Sequence, residues 1–297
     1  GMVDLHIHAP QYAFRGMCMD LELMDWLNRY TFPEEEKYED LEYAKKAYDM
    51  FVKALKESAT TRSVIFATRH RYATELLMEL MEASGLISYV GKVNMDREAS
   101  DNLTEKNADV SAYTTFGWIN AVKDKFRNTR PILTPRFIPC CTDQLMEELR
   151  QIQMAYGIPV QSHLSESKGE IEFVKFLRPG DPFYGDGYND YDLFGKNDDI
   201  DTDVKTVMAH CVWSTDEEAE LMRKNIRANE IIDKTYYEKT YVQNLMLGKA
   251  LQESELFLDG KVIASHITRE TMDANGIKPS DLEGIVSQLR VTQGVEV

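Results

Sequence analysis

His6 and His8 flank a single isoleucine in the run Met2-Val3-Asp4-Leu5-His6-Ile7-His8-Ala9. Val3, Leu5 and Ile7 alternate there with Asp4, His6 and His8, the period of a strand. A strand points alternate side chains to opposite faces, so both imidazoles project the same way. Two neutral imidazoles on one face can hold one divalent metal, with zinc first among the candidates. His163 closes Val160-Gln161-Ser162-His163, and His210 closes Val207-Met208-Ala209-His210, each at the end of an apolar run. Four of the six histidines therefore fall at strand ends, the register of a metal site. Glu166 lies three residues past His163, where the chain can turn back over the ion. A carboxylate there can take a proton from zinc-activated water and pass it to a leaving nitrogen. The competing reading of Glu166 is a helix N-terminal residue satisfying the dipole. His70, in Thr68-Arg69-His70-Arg71, fits either a pocket rim or a plain loop, and His266 is expected to be structural.

The elements that must position these residues alternate along the chain. Strand-like runs occupy 2–8, 63–68, 87–93, 131–137, 158–163 and 205–210. Helical spacing lies between them, most clearly over 41–57, 72–83 and 142–156. Strands separated by helices imply parallel pairing with right-handed crossovers. His8, His70, Arg136, His163 and His210 all sit at the carboxyl ends of these strands or just beyond, where a (β/α) barrel builds its site. An open doubly wound sheet also binds ligands there, but no Gly-rich phosphate loop follows the first strand. The fold class expected is therefore α/β, a TIM-like barrel with about six of its eight strands, followed by a small α+β tail.

Acidic, aromatic and Gly/Asn-rich sequence over 179–203 reads as a long surface loop. Within it, 197–203 lacks the glycine and closing glutamate of a calcium loop and reads as a solvated charge run. The character changes near Asn225. A long helix is expected over 226–253, and Asp259-Gly260 marks a hairpin with a type I′ turn. Ser280-Asp281-Leu282-Glu283 is a capping box, and 295–297 ends the chain as strand.

Composition sets the outer bounds. Of 297 residues 43% are hydrophobic, enough for a sizeable core. A net charge of -16 argues against nonspecific nucleic-acid binding, without excluding a neutral base as substrate. Cys18, Cys140, Cys141 and Cys211 make no CxxC spacing, and the vicinal pair reads as two small buried residues. A reducing, cytoplasmic compartment fits this usage. No apolar run reaches membrane-spanning length and no signal peptide precedes the first strand.

The ordered set of strand ends resembles the amidohydrolase superfamily and, within it, the guanine deaminase family. The resemblance rests on Val3-Asp4-Leu5-His6-Ile7-His8-Ala9-Pro10-Gln11-Tyr12, Arg29-Tyr30-Thr31-Phe32-Pro33, Phe66-Ala67-Thr68, Val90-Gly91-Lys92-Val93, Thr134-Pro135-Arg136-Phe137, Gln161-Ser162-His163-Leu164-Ser165-Glu166 and Val207-Met208-Ala209-His210. It covers residues 1–225 and implies one zinc ion held by His6, His8 and His163. His210 would hold the attacking hydroxide or join the metal site, and Glu166 would shuttle protons. Gln11, Arg136 and Phe137 would recognise the purine by edge hydrogen bonds and ring stacking. The implied reaction is hydrolytic deamination of guanine to xanthine and ammonia, with a small-molecule purine as partner and a homodimer as the common assembly.

The same resemblance calls for a metal-site aspartate after an eighth strand, in a Ser-Asp-Val-Ala-Gly-Gly type motif, and no such motif occurs here. The first and sixth strands of a six-stranded barrel would expose their edges. Residues 226–297 resemble part of a DHH-family phosphoesterase through Thr235-Tyr236-Tyr237-Glu238-Lys239-Thr240-Tyr241, Glu255-Leu256-Phe257-Leu258-Asp259-Gly260-Lys261 and Ser280-Asp281-Leu282-Glu283-Gly284-Ile285-Val286, without that family's Asp-His-His motif. Two other readings stay open: a metal- or purine-binding remnant without catalysis, and an interaction module acting through the tail.

Overall fold

A helix between two strands brings them together in parallel, because a crossover of that length returns the chain to the same end of the sheet. The computed structural model follows this rule through six strand positions. It describes residues 1–194, 206–225 and 241–277, with 282, 285, 289, 292 and 295 beyond them. By internal packing the chain forms two units, Gly1–Ile226 and Arg227–Val297.

In the first unit, β1 (Met2–His8) pairs with β2 (Thr60–Phe66), and β2 with β3 (Ile87–Gly91). Past Lys92 the third strand resumes as β4 (Val93–Asn94). The fourth position is also in two pieces, β5 (Thr129–Pro131) beside β3 and β6 (Thr134–Pro135) beside β4. A bridge from Leu133 to Val160 carries the curl to β7 (Val160–Leu164), which pairs with β8 (Thr206–His210). Every one of these pairings is parallel.

Several boundaries differ from expectation for physical reasons. The single strand expected over 131–137 is split at Ile132-Leu133, where the Leu133 N–H donates to Pro159 O at 2.9 Å and so turns to the next strand position. Arg136 and Phe137 consequently lie beyond the strand rather than within it. The strand expected over 87–93 is interrupted at Lys92, whose ammonium is buried against Glu105 Oε1 at 2.8 Å. Residues 183–194 are not a surface loop. They include a short helix, Asp186–Asn189, and Tyr184, Tyr188, Leu193 and Phe194 are buried in the main core.

Helices Leu41–Glu57, Arg71–Ser84, Ala108–Val122 and Asp143–Tyr156 follow strands or lead into them. Their starts are set by capping side chains. Asp40 accepts from the Glu42 and Tyr43 N–H groups, Asn107 from Val110, and Thr142 from Leu145. Each contributes an apolar stripe to one core, represented by Phe51, Leu77, Trp118 and Leu149. Inside the curl the strands approach so closely that a Cβ at Gly91 would overlap Thr134 Oγ1 and Gln161 Nε2. Gln161 Nε2 donates to Ile65 O at 3.0 Å and Thr134 Oγ1 at 2.9 Å, tying three strands together across the interior.

The curl is open. Among the described residues β1 pairs only with β2 and β8 only with β7. Met2, Val3 and Leu5 on the outer side of β1 are 64%, 54% and 55% exposed. An uncovered apolar edge of this kind is the expected mark of a barrel with six strand positions.

The second unit has a helix, Tyr241–Gln252, a hairpin of β9 (Glu255–Phe257) and β10 (Val262–Ala264), and a helix, Arg269–Ala274. Met246, Ala250, Met272, Ile277, Ile285 and Leu289 form its core. The hairpin reverses through Asp259 and Gly260 at φ 56° and 86°, and Lys261 N–H donates to Leu258 O at 3.2 Å. The charge run at 197–203, the helix start at 226–240, most of the capping box at 280–283 and the final strand at 295–297 fall largely outside the described residues. No described helix is long and apolar enough to cross a membrane.

Candidate metal centre

The sheet collects the histidines at its carboxyl end. His6 and His8 share one face of β1, with ring centroids 4.9 Å apart. The β1–β2 register is irregular between Asp4 and Ile7, and the His6 N–H donates to Asp4 Oδ1 at 3.1 Å instead of to the ladder. An irregularity of this kind re-aims a side chain without ending the strand. His163 comes from β7, and its Nε2 faces His8 Nε2 at 3.0 Å. His210 ends β8 with φ 73°, a left-handed conformation that histidine tolerates better than most residues. Its ring lies 4.9 Å from His6 and 5.4 Å from His163. One ring nitrogen from each of His6, His163 and His210 lies within 4.8 Å of the others.

The donor set fits a divalent ion. The nitrogens of one tetrahedral zinc site lie roughly 3.3 Å apart, so the 3.0 Å pair already has the right scale. The tautomer of His163 is fixed from behind, because its Nδ1–H donates to the Arg136 carbonyl at 2.6 Å. That leaves the Nε2 lone pair facing the cluster, the usual second partner of a metal-bound imidazole. Tyr188 steadies the same strand, donating to His163 O at 2.7 Å. The Nδ1 atoms of His6 and His8 are buried without a hydrogen-bond partner among the described residues. Phe66 packs under His8 at 4.5 Å and keeps the site apolar.

Burial decides the charge state. It pushes the His6 pKa down to about 4, with His210 adding a smaller push. Burial also holds His8 and His163 well below the usual imidazole range, and it lowers His210. The four rings are therefore neutral near pH 7, the state that ligates a metal. Glu166 moves the other way, up to about 7, because burial and then the Glu170 carboxylate disfavour its charge. Its Oε2 lies 3.4 Å from His210 Nε2. Ser165, at φ 50°, makes the turn that returns Glu166 toward the cluster. Ser167 caps the next helix, Lys168–Leu177, and Glu170 closes the capping box. Glu166 is therefore not the helix cap. Its own N–H donates to Glu170 Oε2 at 2.9 Å.

All eight residues singled out for chemistry line one cavity of about 360 Å³: His6, His8, Gln11, Arg136, Phe137, Glu166 and His210 with His163. The opposite wall is mostly apolar, from Met19, Leu21, Leu23, Trp26 and Leu27. Sequence reasoning did not single out that wall, nor Glu35. Glu35 is buried and grips the Arg136 guanidinium with both oxygens, at 2.6 and 3.1 Å. Its signal lay just past Arg29-Tyr30-Thr31-Phe32-Pro33, in an acidic run that reads as solvated surface. His70 is elsewhere. It precedes the helix Arg71–Ser84 and lines a second cavity with Arg69, Tyr72 and Lys106. His266 is exposed just past β10.

Known proteins share sequence and fold with this chain. Guanine deaminase from Dictyostelium discoideum is 40% identical over 223 residues, which are 75% of this chain and 48% of that protein. The crystal structure of guanine deaminase from C. acetobutylicum with bound guanine in the active site superposes with a TM-score of 0.71 at 46% identity, covering 76% of this chain and 52% of that one. A mutant of atrazine chlorohydrolase from Arthrobacter aurescens complexed with zinc and atraton has a TM-score of 0.63 at 13% identity, a likeness of fold alone, over 76% of this chain and 51% of that one. The chain spans about half the length of the curated relatives it matches. With the curled sheet and its strand-end imidazoles in place, and the family pattern running through residues 1–271, this chain belongs to the amidohydrolase family.

Proposed function

We propose that this chain is a zinc-dependent hydrolase that converts guanine to xanthine and ammonia, with one zinc ion per chain. The observation that carries the reading is the meeting of neutral imidazoles from β1, β7 and β8 with Glu166, whose pKa is raised to about 7. The likeness to guanine deaminases supports the choice of substrate.

When bound by His6, His8 and His163, with His210 beside them, zinc supplies Lewis acidity that lowers the pKa of water. The protein's own groups do the rest. Glu166, turned back over the imidazole cluster, accepts a proton from the attacking water and delivers one to a ring nitrogen of the purine. His210, 3.4 Å from that carboxylate, orients the water by hydrogen bonding. A C–O bond forms at the amine-bearing carbon and the C–N bond breaks; of the two protons of water, one ends on the ring nitrogen and the other leaves with ammonia. Arg136 and Gln11 offer donors to the purine edge, and Phe137 with the Leu23–Trp26 helix offers apolar surface to its faces.

Residues 1–225 carry this chemistry in our reading. Placement in the cytoplasm and assembly as a homodimer belong to the same proposal. A second reading is binding without turnover. It is favoured by one observation: Glu166 is the only carboxylate lining this cavity among the described residues. A nucleic-acid role for the tail has the least support, given the net charge of -16.

The test is metal analysis paired with ammonia release from guanine on the purified 297-residue chain. Stoichiometric zinc with ammonia release supports the enzyme. Calorimetric purine binding without ammonia supports the second reading. A zinc-loaded chain that neither binds nor deaminates guanine refutes both.

A further inference from the structure

The Arg136 end of the cavity has a property that the deaminase reading does not require. A guanidinium carries five N–H donors and a full positive charge. Two of the Arg136 donors go to Glu35, at 2.6 and 3.1 Å, and Nη1 also leans on Met95 Sδ at 3.8 Å. That leaves two N–H groups on a side chain that lines the cavity. Phe32 stacks near the guanidinium at 5.0 Å and helps hold its plane. Both members of the ion pair are buried, so water screens neither charge.

Donors are thus retained while the net charge is cancelled. An uncompensated buried arginine would attract any anion, whereas a compensated one offers hydrogen bonds without a monopole. We propose that Glu35 is a specificity-determining residue, making the Arg136 end of the cavity accept uncharged oxo-heterocycles and reject their anions. The inference rests on the purine reading of the site and adds the charge class of the ligand to it. It bears on turnover because replacing an amine by a carbonyl makes the ring N–H groups more acidic. The product ionises more readily than the substrate. A cavity that disfavours the anion lets product leave.

The test is calorimetric binding to the metal-free chain, which does not turn guanine over, at mildly alkaline pH, where xanthine has lost a ring proton and guanine has not. The parent chain is expected to bind guanine at least about tenfold more tightly than the xanthine anion, because the anion gives up hydration that donors without a net charge do not repay. Glu35→Gln is expected to narrow that ratio by about tenfold to a hundredfold, chiefly by strengthening anion binding. Glu35→Asp, which keeps the charge, is expected to preserve most of the ratio. Equal binding of the two purines by the parent overturns the inference and leaves the purine reading intact, and this measurement decides even if Glu35→Gln does not fold. An unchanged ratio in a folded Glu35→Gln overturns it likewise. Failure of the parent to bind either purine removes the functional reading together with the inference.

Discussion

Replacing Glu166 by glutamine should cost activity and add stability, and the two effects share one cause. In the folded chain the carboxyl pKa is raised from 4.5 to about 7, mainly by burial and then by the Glu170 charge. Between those values the folded state holds a proton that the unfolded state has released. Stability therefore falls as pH rises from 4.5 to 7, and stays at the lower level above that. A shift of about 2.5 units corresponds to an upper limit of about 3 kcal/mol. The side chain is 28% exposed, and screening by solvent reduces the expected effect to roughly 1–2 kcal/mol. Glutamine keeps the shape and never ionises. In metal-free chain, Glu166→Gln should match the parent below pH 4.5 and exceed it by that amount above pH 7, read by urea unfolding at both pH values. In zinc-loaded chain the same change should lower kcat by about 10²–10⁴, the usual contribution of a general acid–base. A variant no more stable than the parent at high pH, or one whose advantage is the same at every pH, would refute the electrostatic reasoning.

Other perturbations probe the frame and the metal. Gly91→Ala places a methyl group against Thr134 and Gln161, and should cost about 1–3 kcal/mol by chemical denaturation. Glu105→Ala strands the buried Lys92 ammonium, with an expected loss of about 3–5 kcal/mol in the same assay. His163→Ala removes the imidazole whose tautomer is set by Arg136, and should weaken zinc binding by more than about a hundredfold in a competition titration. Saturating zinc should stabilise the parent by about 4 kcal/mol at a thousandfold excess over Kd, and a chelator should reverse that shift.

Much of the site was legible because its chemistry sits on regular strands. The period of two in β1 places His6 and His8 on one face, and that inference survives even though the ladder is irregular between Asp4 and Ile7. His163 and His210 were readable as the last polar residues of apolar runs. The distances among them were not readable, since they depend on how far the sheet curls. The break at Ile132-Leu133 was not readable either, because it depends on which neighbouring strand Leu133 pairs with. Glu35 was hidden by its neighbours. An acidic run reads as solvent-facing, and only the buried Arg136 turns one member inward. The 179–203 stretch misled for the opposite reason. Its polar residues outnumber Tyr184, Tyr188, Leu193 and Phe194, yet those four anchor 183–194 in the core.

Arg136 serves two parts of the cavity at once. Its carbonyl holds the His163 imidazole and its guanidinium is held by Glu35. One peptide unit thus couples the ion's seat to the ligand-facing wall. A family member drifting toward a new heterocycle by reshaping this arginine would disturb the setting of the His163 imidazole at the same step. Selectivity in this lineage should therefore diverge first along the apolar side of the chamber, at residues such as Leu23 and Trp26, where change carries no such double penalty.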